Sequence, residues 1–271
     1  MALDLDLELD EGVSNSVATI QVVEIDIPSY PRLKTGEKAT NYNCVIIDTV
    51  NELQNAEYLS YIDPETNDMM TQKKYANLGI KLKQFINQVR EYRDPSNNGQ
   101  AVLILGGEGT GKSFGVKYLN PATTYWIHTD SKPATFKGSS SFKPEHRNYL
   151  ETTDYAEARK RLNSVYKHRD QSVPFVIFFM GHLDVIESKN SSDYKEQLKT
   201  VGAFAHKLNI EGAFSNCFKT VVFTDPSTKV QQFCFDTQNN GHNTIRCQEE
   251  LFPGRHIPNN LEYIRQQIIN W

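Results

Sequence analysis

Residues Ala101–Ser113 read AVLILGGEGTGKS, and this segment limits the possible folds more than any other in the chain. A run of apolar, strand-forming residues leads directly into G-x-x-x-x-G-K-S. Glycines at Gly106, Gly107, Gly109 and Gly111 let consecutive backbone N–H groups turn inward around an anion, with Glu108 and Thr110 between them. Lys112 is spaced to reach the β and γ phosphates of a nucleotide and Ser113 to hold Mg²⁺, and all residues from Gly106 to Phe114 are expected to contact the nucleotide, with a helix from about Lys112. The expectation is a phosphate-binding loop between a buried strand and a helix, which requires an α/β fold with ligand loops at the carboxyl ends of its strands.

The rest of the chain supplies elements of that type. Val45–Ile47, Ala101–Leu105, Tyr125–His128, Phe175–Met180, Thr220–Phe223 and Gln232–Asp236 read as strands. The continuously apolar ones suit a parallel sheet buried on both faces. A long helix is expected at about Tyr75–Tyr92, where Leu78, Leu82, Phe85, Ile86 and Val89 recur at three- and four-residue steps, and further helices from about Lys112, at Asp154–His168 and at about Asn260–Asn270 after Pro258. Asp94-Pro95-Ser96-Asn97-Asn98-Gly99 breaks the first of these. The alternation predicts a mostly parallel central sheet flanked by helices.

Before this region, Val17–Ile27 is β-branched and reads as a strand ended by Pro28 and Pro31. Met1–Ser16 carries Asp4, Asp6, Glu8, Asp10 and Glu11 with no Lys or Arg before Arg32. It is expected to be a solvated, disordered acidic tail, with a basic partner or nucleic-acid mimicry as the functional alternative. The domain is then residues 17–271.

A phosphate loop needs a second carboxylate at a strand tip for the metal ion. The strand Phe175–Met180 runs into Gly181-His182-Leu183-Asp184 and has no acid at its tip. Upstream, Cys44-Val45-Ile46-Ile47-Asp48 does, so Asp48 is the expected metal carboxylate, ahead of Asp184 or Asp130. The carboxylate unit (residues 41–93) therefore precedes the loop and its downstream part (residues 100–271).

Bulk properties narrow the field. The chain has 271 residues, a net charge of −4, and 38% hydrophobic and 23% charged residues. No apolar run approaches a membrane span, and no basic-then-apolar leader is present, so a cytoplasmic protein is expected. Cys44, Cys217, Cys234 and Cys247 lack metal-site spacing and read as free thiols. The charge gives no global basic footprint, which argues against a nucleic-acid coat protein but leaves room for a local basic groove.

Several segments together carry a resemblance: YWIHTDSKPATFKG (Tyr125–Gly138), FFMGHLD (Phe178–Asp184), LKTVGAFAHKLNIEGAF (Leu198–Phe214), DTQNNGHNTIR (Asp236–Arg246) and LFPGRHIPNNL (Leu251–Leu261). In these the chain resembles the phage-encoded RecA-like P-loop ATPases associated with single-strand DNA annealing and recombination. The resemblance covers residues 41–271. It departs from the family's order by placing the carboxylate strand before the phosphate loop, and it has Asn260 where the last motif usually has Asp.

The resemblance implies a RecA-like sheet of rearranged strand order, ATP and Mg²⁺ as cofactors, and a homo-oligomer. It implies single-stranded DNA as ligand, with a single-strand-binding or annealing protein as a further partner. It places Asp130 as the acid activating the attacking water, His182 as the γ-phosphate sensor and Arg246 as a finger reaching a neighbouring subunit's nucleotide. Residues 54–74 and 183–200 correspond to DNA-contacting loops, the second holding Lys189, Lys195, Lys199 and Tyr194 among acids. The alternatives are a small P-loop kinase and an ATP-gated interaction module with weak turnover.

Overall fold

The computed structural model describes residues 30–59, 84, 85, 87, 100–130, 132–134, 136–187, 194–200, 210–224 and 228–271. The expected acidic tail and the strand Val17–Ile27 lie outside them. Of the helix expected at Tyr75–Tyr92, residues 84, 85 and 87 are described, and all three are helical.

The chain forms an α/β structure on a mostly parallel sheet. Its strands are β1 (Cys44–Asp48), β2 (Gln100–Gly106), β3 (Thr124–His128), β4 (Tyr149–Glu151), β5 (Val176–Glu187), β6 (Tyr194–Leu198), β7 (Asn216–Thr224), β8 (Gln231–Asp236) and β9 (His256–Pro258). The helices are α1 (Val50–Leu59), α2 (Tyr155–Lys167) and α3 (Leu261–Asn270). Strand order is β4-β3-β1-β5-β2-β7-β8-β9, with β6 pairing off this path onto β5. From β4 to β7 every pairing is parallel, while β7–β8, β8–β9 and β5–β6 are antiparallel.

All residues of β1, β2 and β3 are buried, as their uninterrupted apolar runs require of strands covered on both faces. Alternation divides their side chains between two cores. Val45, Ile47, Leu103, Ile127 and Phe179 point to the face packed by α1, α2 and Phe85. Cys44, Ile46, Ile104, Trp126 and Phe178 point to the face covered by α3 and by Val116 and Leu119. Phe85 is fully buried, with its ring edge-on to Phe179 and Tyr155.

The helix boundaries follow their caps. Asp154 is the N-cap of α2, its carboxylate accepting from Ala156 N–H at 2.7 Å and Glu157 N–H at 3.3 Å. Asn260 serves α3 in the same way, accepting from Tyr263 N–H at 3.0 Å. An amide replaces the acid here without loss of the cap, because an N-cap needs only a side-chain oxygen.

Two expectations are corrected. The segment after Lys112 is a seven-residue 3-10 helix, Lys112–Tyr118, in place of an α-helix. Such short, tight turns are often used as connectors. This one ends at Leu119, whose backbone N–H bonds Val116 O. The stretch 183–200 is also more ordered than a loop: β5 continues past Met180 to Glu187 and pairs with β6 from Leu183↔Leu198 to Glu187↔Tyr194.

Phe178 in β5 is fully buried at the centre of the sheet. Phe178→Ala is expected to cost about 3–5 kcal/mol of folding stability, measured by denaturant unfolding monitored by circular dichroism.

Candidate functional site

The carboxyl ends of β1, β2 and β3 meet His182 of β5 at one sheet edge, and the predicted site residues other than Arg246 gather there. β2 ends at Gly106, where a Cβ would collide with the Thr220 hydroxyl of β7. Gly111 has φ +87°, and a Cβ there would lie 2.7 Å from the Phe233 ring, so both the backbone conformation and the packing require glycine. The Thr110 hydroxyl donates to Gly107 O at 2.8 Å and lies 2.6 Å from the Thr220 hydroxyl, which ties the loop to β7.

Lys112 folds back over this loop. Its ammonium donates to Gly106 O at 3.0 Å and Gly107 O at 2.8 Å, and only 8% of the residue is exposed. Burial lowers its pKa, and the charges of Asp48, Glu108 and Asp130 oppose that shift. The ammonium is held by carbonyl oxygens, weak partners that an incoming phosphate can replace.

Asp48 ends β1, placed by parallel register between His128 of β3 and Met180 of β5. Its side chain lies on the same face as Cys44 and Ile46, the face over which the 3-10 helix runs. The Ser113 hydroxyl therefore reaches it, donating to Asp48 Oδ2 at 2.7 Å, while the Thr49 hydroxyl donates to Oδ1 at 3.1 Å. Asp48 is 2% exposed, and burial pushes its carboxyl above the usual carboxylate range. The Ser113 hydrogen bond, His128, Thr49 and Lys112 oppose the shift, in that order. Thr129 Oγ1 lies 2.6 Å from Asp48 O and 2.7 Å from Thr49 O, fixing the turn between β1 and α1.

His182, in β5, brings Nδ1 to 3.4 Å from the Lys112 ammonium. Burial first, and the Lys112 charge second, lower its pKa and favour the neutral imidazole. Its backbone N–H donates to Asn51 Oδ1 at 2.6 Å, and the other end of that amide donates to Lys199 O beyond β6. Asn51 thereby joins the helix after Asp48, the strand carrying His182 and the end of the hairpin.

Asp130 follows β3 and lines the same cleft, its Oδ1 accepting from Lys132 N–H at 3.1 Å in a local turn. His128 also lines the cleft, with Nδ1 2.9 Å from the Tyr149 hydroxyl. The cleft has a volume of about 360 Å³ and is bounded further by Glu108, Gly109, Gly111, Phe114, Pro133 and Phe233. That size falls within the range of small-molecule sites. A larger surface hollow of about 680 Å³ beside α2 contains none of the motif residues.

Arg246 lies apart from this cleft. Its guanidinium donates to Phe214 O at 2.9 Å and to Glu211 O, and its backbone bridges to Cys217. Of the two stretches expected to contact DNA, residues 60–74 and 188–193, including Lys189, lie outside the described residues. Tyr194 and Lys195 are exposed on β6, where Tyr194 stacks on His242 with ring centroids 4.6 Å apart.

Among the described residues there is no group of three or more His, Cys, Asp or Glu side chains able to cage a metal ion. The Ser113 hydroxyl and Asp48 carboxylate nevertheless fit Mg²⁺, which takes one or two protein oxygens and completes its shell with phosphate and water. No described helix is long and apolar enough to cross a membrane. No family model, curated protein or solved structure matches the chain.

The raised pKa of Asp48 fixes the sign of a pH effect. A carboxyl with a higher pKa in the folded chain than in the unfolded one favours folding below the unfolded value and loses that contribution as pH rises through the folded value. Asp48→Asn, without added metal, is expected to raise the melting temperature at pH 7. The gain should shrink toward zero as pH falls below about 4, where the unfolded-state carboxyl is also protonated. Thermal melts of both chains across that range measure it.

Proposed function

We propose that the chain is a RecA-like ATPase that binds and hydrolyses ATP with Mg²⁺ and acts on single-stranded DNA, in the phage recombination or replication setting its motifs resemble. The observation that carries this reading is the Ser113–Asp48 hydrogen bond at 2.7 Å, beside a Lys112 ammonium curled over the glycine loop. A hydroxyl and a buried carboxylate are thereby paired next to a lysine and a glycine loop. This donor set suits a metal–triphosphate.

In this reading the loop N–H groups and Lys112 bind the β and γ phosphates, and Ser113 and Asp48 hold the ion. Mg²⁺, when bound, neutralises charge on the phosphate oxygens. Asp130 orients a water and takes its proton. The water oxygen bonds to the γ-phosphorus, the bond to the β–γ bridging oxygen breaks, and ADP leaves with the electron pair. His182, neutral and beside Lys112, reads the γ-phosphate. A change at His182 has a direct route outward, because β5 continues from it into the hairpin and Asn51 grips both ends of that joint. ATP binding would order the DNA-contacting segments and hydrolysis would release them.

Homo-oligomerisation and a single-strand-binding or annealing partner belong to the same proposal. Arg246 contributes to an assembly only if its guanidinium exchanges its present carbonyl partners for a neighbour's phosphate.

Steady-state ATP hydrolysis with and without single-stranded DNA tests the reading. Several-fold stimulation by DNA is expected, and Lys112→Ala should lower turnover by about 10²–10³-fold, the loss typical when a preorganised charge-stabilising donor is removed. Tight ATP binding without turnover would instead favour an ATP-gated interaction module, and ADP formation that depends on a small acceptor would favour a kinase.

A further inference from the structure

The cleft has a polar end, where Asp48, Lys112, Ser113, Asp130 and His182 converge, and an apolar end that the hydrolytic chemistry leaves unused. The apolar end is formed by Phe114 and Phe233, whose rings touch. Phe114 directly follows Ser113. Phe233 comes from β8, in register with Val222 of β7, and is held from behind by Asn259, whose N–H donates to Phe233 O at 3.1 Å. The Asn259 side-chain amide donates to Gly111 O at 2.8 Å, so one residue anchors the glycine loop through its side chain and the strand carrying Phe233 through its backbone. The two phenyl rings meet with centroids 5.2 Å apart at 41°, and both remain half-buried in the cleft wall.

The order of groups along the loop gives a bound nucleotide its direction. His182 and Lys112 mark the γ-phosphate end, Ser113 follows, and Phe114 is next. A triphosphate laid along this path carries its sugar and base away from His182 and toward the phenyl pair. Aromatic faces stack on any base because every base has a π-face, and discrimination between bases requires hydrogen bonds to their edges. Phe114 and Phe233 carry no side-chain hydrogen-bonding group.

The Lys117 ammonium lies 3.6 Å from the centroid of the Phe114 ring, which leaves Phe233 as the stacking ring with Phe114 as its support. We propose that Phe233, backed by Phe114, forms the nucleobase subsite of this cleft and holds a purine by stacking in place of edge recognition, so that GTP is a ligand as well as ATP. This rests on the reading of Gly106–Ser113 as a phosphate loop.

The test is a competition titration on the full chain with Mg²⁺, in which ATP, GTP and inorganic tripolyphosphate displace a fluorescent ATP analogue. ATP and GTP should bind within about threefold of each other, a difference under 1 kcal/mol. Phe233→Ala should weaken both by about tenfold, the lower range for loss of one base–aromatic stack. Tripolyphosphate affinity should be unchanged, and Phe233→Tyr should restore nucleotide binding. Because Phe233 also packs on Gly111, tripolyphosphate separates a lost stack from a disturbed loop. Equal weakening of tripolyphosphate and ATP in Phe233→Ala would overturn the subsite, as would rejection of GTP by about 100-fold or more. If the unaltered chain bound neither tripolyphosphate nor nucleotide, the phosphate-loop reading itself would fall.

Discussion

A buried carboxylate at the tip of a central strand constrains the whole site. Asp48 is placed by the parallel register of β1 between β3 and β5, and a one-residue slip would turn it to the opposite face of the sheet. In register it meets the Ser113 hydroxyl, the Thr49 hydroxyl and the field of Lys112. Those groups only partly offset the cost of burying a charge, because burial remains the largest influence on Asp48 and its pKa stays high. In the proposed reading a bound cation would offset that cost.

Around this carboxylate the sheet brings together elements far apart in sequence. The glycine loop is attached to β7 through Thr110 and Thr220, and to β8 and β9 through Asn259. His182 is attached to α1 and to the hairpin through Asn51. Two asparagines thus act as buried staples, one beneath the loop and one behind the histidine. Asn51 uses both ends of its amide, accepting at Oδ1 and donating at Nδ2, while Asn259 donates to the loop through its amide and to β8 through its backbone N–H, in neither case with a net charge to desolvate.

Much of this was legible in the residues. The apolar runs at Val45–Ile47, Ala101–Leu105 and Phe175–Met180 identified the buried strands, since a strand covered on both faces has no polar alternation to obscure it. Asp48 could be found because it directly follows such a run, even though it lies upstream of the loop. The caps Asp154 and Asn260 fell at the expected helix starts. Strand β6 was not legible: Tyr194–Leu198 reads YKEQL, and its strand state depends on pairing with β5 and on Glu196 N–H donating to His242 O. Asn51, His128, Tyr149 and Phe233 likewise join the site only through tertiary contact. The 3-10 form of Lys112–Tyr118 was not legible either, because it goes with a tertiary contact: Gly115 packs against Asn259 and Leu261 of the C-terminal segment. A Cβ at Gly115 would come within 2.5 Å of Asn259 Oδ1.

The central placement of β1 has a consequence during synthesis. Its neighbours are β3, some 80 residues downstream by register, and β5, some 130 residues downstream. Residues 49–175 must leave the ribosome before β5 begins to appear, roughly 6–25 s at about 5–20 residues per second. Until β3 is complete at His128, Cys44-Val45-Ile46-Ile47 has neither partner strand, and for the rest of that interval it still lacks β5. It is a short, uncharged, β-prone segment of the kind that recruits other chains when exposed. In this order β1 is made first and waits longest for its flanking strands, a delay set by chain order alone.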